Sequence, residues 1–322
     1  MRIHILALDG LFDTGLSTIL DTFSVANDLA CSGSAGAATA TFEIAITSLR
    51  RAVRTSQGLL VPAVPVARCG HPDIVVIPAL GAKTPETLQG ALQRPDVVDA
   101  GKLLRRWADR GVLLGAACTG TFILADNSLL DGRSATTSWW LAPLFRRRYP
   151  LVKLEDSRMV VGSAGFVTAG AALAHIDLAL WLIRQSSPAL AALTARFLLI
   201  EPRSSQSVFS VPAYLAHADP LVERFEEWAR LGLARGFSLS DAARAAGTSE
   251  RTLSRRIRSI MGKTPLAYFQ DIRIAHAIHL LRTSSDSVDT IAAKVGYSEG
   301  TTLRTLLRRK VGRTVNELRI SC

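Results

Sequence analysis

The stretch SLSDAARAAGTSERTLSRRIRSIMG (Ser238–Gly262) returns as SVDTIAAKVGYSEGTTLRTLLRRKVG (Ser287–Gly312), with Gly247 matching Gly296 49 positions later. Ala243 falls on Ala292, Ser249 on Ser298, and Gly262 within one residue of Gly312. Each copy reads as a short helix, a turn at the glycine and a longer basic helix. A small alanine lets two helices cross closely, and glycine supplies the tight turn. This is a helix-turn-helix pattern, written twice.

In the longer helix of copy one, Leu253, Ile257 and Ile260 recur at helical spacing and form the buried side. Arg251, Thr252, Arg255 and Arg258 are left facing outward. Copy two buries Leu303, Leu306 and Leu307 and turns out Thr301, Thr302, Thr305, Arg308 and Arg309. Ser249 and Ser298 are expected to cap these helices, because a side-chain oxygen there satisfies a free N–H. A helix so built fits the major groove of double-stranded DNA, its first residues on base edges and its arginines on phosphates. The candidate DNA-binding residues are therefore Ser249 and the nine outward residues. An isolated basic helix reads equally well as a solvated surface; a duplicated one with matched turns does not.

Between the copies, TPLAYFQDIRIAHAIHLLRTS (Thr264–Ser284) predicts a connecting helix with a core stripe of Leu266, Phe269, Ile272, Ile274, Ala277, Ile278 and Leu281. A rigid connector would hold the two recognition helices about one DNA turn apart, roughly 34 Å. The run SERTLSR (Ser249–Arg255), the turn Gly262-Lys-Thr-Pro265 and the run IAAKVGYS (Ile291–Ser298) together resemble the AraC-type DNA-binding domain. The family pattern usually has Arg where Thr305 stands and Pro where Val315 stands.

A chain of 322 residues is long enough for two domains. Its net charge of +11 is uneven: from Gly236 onward 15 Lys and Arg stand against 7 Asp and Glu. A basic tail on a near-neutral body points to nucleic acid as the tail's partner. The four cysteines, Cys31, Cys69, Cys118 and Cys322, show neither disulfide nor metal spacing, so no metal or cofactor is expected. MRIHILALDG opens as a buried strand without a basic leader, and the apolar stretch Val160–Ile183 is interrupted by Ser163, Thr168, His175 and Asp177. A soluble, cytoplasmic chain without a membrane span is the expectation.

The first two thirds alternate strands and helices. Ile3–Leu8, Phe42–Ser48, Ile74–Pro78 and Val112–Ala116 read as strands, and Leu59–Pro65 as a short edge pair. Leu16–Leu29, Val97–Arg110 and Thr121–Asp126 read as helices. Continuous apolar runs such as IVVIP suit parallel strands covered on both faces, so an α/β doubly wound, flavodoxin-like sheet is predicted. The chain should divide into an α/β domain at 1–195, a linker at 196–219 and an all-α double helix-turn-helix domain at 220–322. Its motifs would fall at about 238–262 and 286–312. Leu221–Leu233 is placed at the start of that second domain, with Leu221, Phe225, Trp228 and Leu231 on one face; a dimer contact is its other reading.

Within the α/β part, GAACTGTFILA (Gly115–Ala125) puts a cysteine between small residues at a strand-to-helix turn. Such an elbow exposes a side chain at the sheet's C-terminal edge, where open α/β sheets bind ligands, and a helix N-terminus there would lower a thiol pKa. With Leu129-Leu-Asp-Gly132, Ala135-Thr-Thr-Ser-Trp139 and Gly162–Leu180, this region resembles the DJ-1/PfpI (class I glutamine amidotransferase-like) superfamily. Together with the tail, the chain resembles the GlxA-like branch of AraC-family transcriptional regulators.

The resemblance implies what a catalytic version would need. A histidine would serve the elbow cysteine, but Thr119 follows it and the matching segment reads Thr136-Thr137-Ser138. An acidic partner would fall near Gly15, with Asp13 the closest carboxylate, and the oxyanion glycine pair appears as Ala79-Leu80-Gly81. None of the six histidines stands where the motif wants one. The resemblance therefore implies a non-enzyme whose degenerate pocket, with candidate residues Asp13, Gly81, Cys118, Thr119, Ser138 and Trp139, holds an unknown small-molecule effector. A cysteine-dependent hydrolase or amidotransferase with a DNA-binding tail is the alternative. Cys118 itself has three readings: pocket lining, a small buried residue, or a redox or covalent sensor. Trp139 and Trp140 read as core or interface packing, or as a wall of the pocket. A homodimer on paired half-sites is expected, with RNA polymerase a further partner.

Overall fold

The computed structural model describes residues 1–32, 41–201, 203, 205–206 and 219–320. It divides into two units, Met1–Ser207 and Val208–Cys322. In the first unit the chain runs β1 (Arg2–Leu6), α1 (Asp13–Cys31), β2 (Glu43–Ser48), β3 (Ala52–Arg54), β4 (Leu60–Pro62), β5 (Val64–Pro65) and β6 (Ile74–Ile77). It continues through α2 (Pro85–Leu92), α3 (Pro95–Asp109), β7 (Leu113–Ala117), α4 (Gly120–Asp126), β8 (Ser134–Ala135) and α5 (Ala142–Arg148). It closes with β9 (Lys153–Leu154), β10 (Val160–Ser163), β11 (Phe166–Ala169), α6 (Ala174–Ser186) and α7 (Pro188–Phe197).

The main sheet has the order β10-β11-β7-β6-β1-β2-β5, and every pairing is parallel except the β10–β11 hairpin. Its central strands, β2-β1-β6-β7-β11, give the 2-1-3-4-5 order of a flavodoxin-like sheet, which reverses direction between β1 and β6. The run Ile74–Ile77 shows why these strands are continuously apolar. Val75 and Ile77 pack with α2, α3 and α4, while Ile74 and Val76 pack with α1 and α6 on the other face. Helix α2, absent from the pattern reading, is fixed by Thr84, whose hydroxyl accepts the Thr87 N–H ahead of Pro85. Of the expected edge pair, Val64–Pro65 joins the main sheet, whereas Leu60–Pro62 pairs with β3 in a separate two-stranded sheet.

The end of this unit lies beyond the expected boundary. Helix α7 runs to Phe197, Arg203 pairs with Asp177, Ser205 bridges Arg158, and Gln206 is completely buried. The described part of 196–206 therefore packs as part of the α/β unit instead of running free as a linker; 207–218 lie outside the described residues.

The second unit is helical: α8 (Pro220–Leu231), α9 (Leu239–Ala245), α10 (Glu250–Met261), α11 (Pro265–Thr283), α12 (Val288–Lys294), α13 (Gly300–Val311) and α14 (Val315–Ile320). Helix α8 buries Val222, Phe225 and Ala229 against α9, α10 and α11, so it is core of this unit. Its expected stripe is shifted, since Leu231 is exposed. On α11, Leu266 is likewise exposed instead of joining the stripe. The turns before α10 and α13 rest on Gly247 and Gly296, whose φ values of 68° and 81° are left-handed and cheap only for glycine. Among the described residues no helix is long and apolar enough to cross a membrane.

Candidate functional site

Helices α10 and α13 are the second helices of the two motifs. Leu253 and Ile257 anchor α10, and Leu303 and Leu307 anchor α13, each completely buried. That fixes which faces remain outside. Arg251, Arg255, Arg258, Thr301, Thr302, Thr305, Arg308 and Arg309 are exposed, and Thr252 is half-buried. Among the described residues none of these five arginines makes a salt bridge. Guanidinium groups left in solvent on a helix held rigidly from beneath can be matched to phosphates or base edges.

The caps differ between the copies. Ser249 caps α10 as expected, its Oγ accepting the Thr252 N–H. Ser298 does not cap α13: the N-cap position is Glu299, whose side chain makes no cap bond. The free N–H of Gly300 goes to Asp289 Oδ1 at 2.9 Å, from the helix before the turn. An extra residue in the second copy displaces the serine, and a carboxylate from α12 does its work.

A groove of about 490 Å³ lies beside α10, lined by Asp219, Leu221 and Arg224 from the start of α8 and by Thr252, Arg255 and Ser259. Asp219, almost fully buried, caps α8 by accepting the Leu221 and Val222 N–H groups and pairs with Arg256 of α10. Sequence reading passed over Asp219, because its N-cap role shows in Asp219-Pro220 but its ion pair is long-range.

In the first unit, Cys118 sits at the C-terminal edge of β7 with φ of 56°, a conformation costly for a residue with a Cβ. Gly120 makes the elbow possible: a Cβ there would stand 2.6 Å from Ile77 O and 2.9 Å from Pro78 O. The thiol does not project into solvent. Cys118 is 4% exposed and its Sγ lies 2.7 Å from Ser138 Oγ. Burial pushes this thiol up, against smaller downward pulls from Ser138 and Thr119. The expected lowering at a helix N-terminus is thus overturned, because α4 is only seven residues long and the sulfur is dehydrated.

Around the elbow most of the polar groups bond one another. Thr119 Oγ1 donates to Leu80 O at 2.8 Å and Thr137 Oγ1 to Cys118 O at 2.8 Å. Gln206 Nε2 donates to Thr136 Oγ1 and Thr137 O, while its Oε1 is buried without a partner. Asp13 accepts from Ser56 Oγ at 2.9 Å and Gln57 N at 3.2 Å through one oxygen, and its other oxygen is buried. Partial burial pushes that carboxyl up, but hydrogen bonds from Thr55, Ser56 and Gln57 outweigh it and hold it below the usual value. Gly81 lies against Ser56, and its N–H donates to Gly10 O. Cys118, Thr119 and Ser138 thus form one group and Asp13 and Gly81 another, bridged by Leu80. Trp139 stands half-buried, edge-on to Trp140 at 5.5 Å.

One residue that sequence reading set aside enters here. His175, completely buried, has Nε2 only 2.6 Å from where a Gly15 Cβ would be. Its Nδ1 bonds Ala172 O at 2.5 Å and its Nε2 accepts the Ala79 N–H at 3.0 Å. Desolvation drives its pKa down to about 4, so the ring is neutral at physiological pH. A histidine 160 positions from the glycine it covers leaves no local signal.

The fold and elbow define a DJ-1/PfpI-type α/β domain, and the tail an AraC-type double helix-turn-helix. Residues 1–185 match the DJ-1/PfpI family and residues 242–320 match the helix-turn-helix domain. The chain belongs to the DJ-1/PfpI family and carries the AraC-type domain behind it. It is 29% identical over 228 residues to the HTH-type transcriptional regulator GlxA of Rhizobium meliloti (strain 1021), covering 67% of this chain and 68% of that one. It is 32% identical over 199 residues to the HTH-type transcriptional regulator CdhR of Pseudomonas aeruginosa, covering 60% of this chain and 59% of that one. An AraC family transcriptional regulator from Pseudomonas putida superposes with a TM-score of 0.51 at 21% identity, covering 61% of this chain and 98% of that one. That last likeness is one of fold.

Proposed function

We propose that this chain is a sequence-specific DNA-binding transcriptional regulator whose first domain binds a small-molecule effector and catalyses nothing. The observation that carries the DNA-binding half is the pair of recognition helices, each pinned by two buried aliphatic side chains and each presenting arginines that make no salt bridge among the described residues. The non-catalytic half is supported by the elbow. Its thiol is buried and held neutral, both nitrogens of His175 are engaged elsewhere, and the Ala79 N–H that could serve an oxyanion already goes to His175. The buried Gln206 Oε1, without a partner among the described residues, supports an effector that brings a hydrogen-bond donor. The protein acts in this reading as a cytoplasmic homodimer on paired half-sites, and RNA polymerase is the further partner a regulator of this kind addresses.

An effector regulates only if it binds two arrangements of the protein with different affinity. The test is binding of genomic fragments by the purified protein at two salt concentrations, with and without a metabolite pool. Fragment-selective binding that the pool alters supports the proposal; selective binding that no pool alters removes the effector. The competing reading, a thiol hydrolase with a DNA-binding tail, is favoured by the left-handed Cys118 backbone. It predicts turnover of amide or aldehyde substrates that vanishes in Cys118→Ala and Cys118→Ser.

A further inference from the structure

Among the described residues the helical unit has two hydrophobic cores, and they divide along α11 between Ile272 and Ile274. The first, around Leu253 and Ile257, takes Tyr268, Phe269 and Ile272 of α11. The second, around Leu303 and Leu307, begins at Ile274 of the same helix. Each core orients its own recognition helix against its own part of α11. Neither packs the two halves against each other, and a single helix bends and twists. The seam is held by the two polar residues that flank Ile272.

Asp271 uses one carboxylate oxygen on each half. Oδ2 pairs with Lys263 Nζ at 2.7 Å, just past the end of α10, and Oδ1 pairs with Lys310 Nζ at 2.6 Å in the last turn of α13. Arg273 also spans the seam. Its Nε donates to Leu233 O at 2.9 Å and its Nη2 to Arg235 O, both after α8 in the first half. Its guanidinium stands 4.6 Å over the Phe269 ring and 5.5 Å from the Tyr297 ring, and it presses on Gly296, where no Cβ would fit. Gly296 and Tyr297 form the turn of the second motif. A planar fork that bonds two carbonyls while stacking on rings is a task that lysine cannot perform.

We infer that Asp271 and Arg273 form a polar clamp that sets the rotational phase between the two recognition helices, and so selects the spacing of the two base sets that one protomer reads. The inference rests on the DNA-binding reading above. One extra base pair turns the second base set by roughly 34° about the duplex axis, so a fixed phase makes spacing a specificity determinant. The two ion pairs are only partly buried, so solvent screens their contribution to stability, and what they fix is the orientation of the two halves.

The test uses the full-length protein and a fragment that it selects from genomic DNA. Probes carry zero, one or two base pairs inserted between the two protected base sets, and affinity is compared for wild type, Asp271→Asn and Arg273→Lys. The clamp predicts that one inserted pair weakens wild type about tenfold, and that the same insertion weakens each variant by less than about threefold. A residue that merely stabilises the fold would weaken binding to all probes in parallel. An unchanged insertion penalty in both folded variants overturns the clamp; should Arg273→Lys unfold, Asp271→Asn decides alone. Absence of selective fragments for wild type overturns the DNA-binding reading itself, and the clamp with it.

Discussion

Cys118 Sγ and Ser138 Oγ lie 2.7 Å apart in a site closed to solvent. A thiol in that setting is a hydrogen-bonded core group. Dehydration raises its pKa, and the hydroxyl returns only part of the stabilisation that water would give a thiolate. In native protein at pH 7.5, iodoacetamide should therefore modify exposed Cys31 more than about tenfold faster than Cys118, with the difference abolished in urea. Peptide mass spectrometry reads both rates. Equal labelling of the two would restore the nucleophile reading.

His175 makes stability depend on pH. Its folded pKa, about 4, lies below the ordinary imidazole value of 6.5, so the unfolded chain takes up the proton first as pH falls. The stabilisation is complete above pH 6.5 and is lost progressively down to about pH 4, the loss reaching about 2 kcal/mol at pH 5. His175→Gln should flatten this part of the profile. Urea midpoints of both proteins at pH 7.5 and 5 measure the difference; parallel profiles would show that the ring is hydrated or charged.

Gly120 cannot accept a side chain without moving β6, since the obstructing atoms are the backbone oxygens of Ile77 and Pro78. Gly120→Ala should destabilise the first unit by about 2–3 kcal/mol, whereas Gly132→Ala, with no atom within reach but a φ of 72°, should cost about 1 kcal/mol. Thermal or urea unfolding separates the two. A Gly120→Ala protein of wild-type stability would mean that the elbow can relax.

The caps of the recognition helices offer a three-way comparison. Ser249→Ala should destabilise the helical unit by about 1 kcal/mol. Asp289→Ala should also destabilise it, because Gly300 N–H loses its acceptor. Ser298→Ala should be nearly silent. If Ser298 rather than Asp289 proves sensitive, the start of α13 is misplaced by a residue.

These contrasts mark what the sequence could reveal. The tandem motif was legible because Gly247 and Gly296 fix equivalent turns and the buried leucines recur at helical spacing. The elbow was legible because a cysteine between alanine and Thr-Gly has few other uses after an apolar strand. What stayed hidden depends on distance along the chain. Local pattern gives no sign that His175 fills the space above Gly15, that Gln206 reaches Thr137, or that Asp289 caps a helix eleven positions on. The thiol's pKa was misjudged for the same reason. The helix terminus is local and visible, whereas the burial that dominates it comes from the whole fold.

Gln206 has a practical consequence for anyone taking the molecule apart. Its amide lies flat against Gly170 and supplies donors to Thr136 Oγ1, Thr137 O and Arg158 O. A fragment trimmed at residue 195, where composition suggests a clean boundary, would leave a hole beside the elbow and take the amide donor away from Thr136 Oγ1 and Thr137 O. Such a fragment would be a damaged α/β domain, and ligand screens run on it would be sampling an artificial vacancy. Only a fragment that continues through Gln206 keeps the native packing beside the elbow.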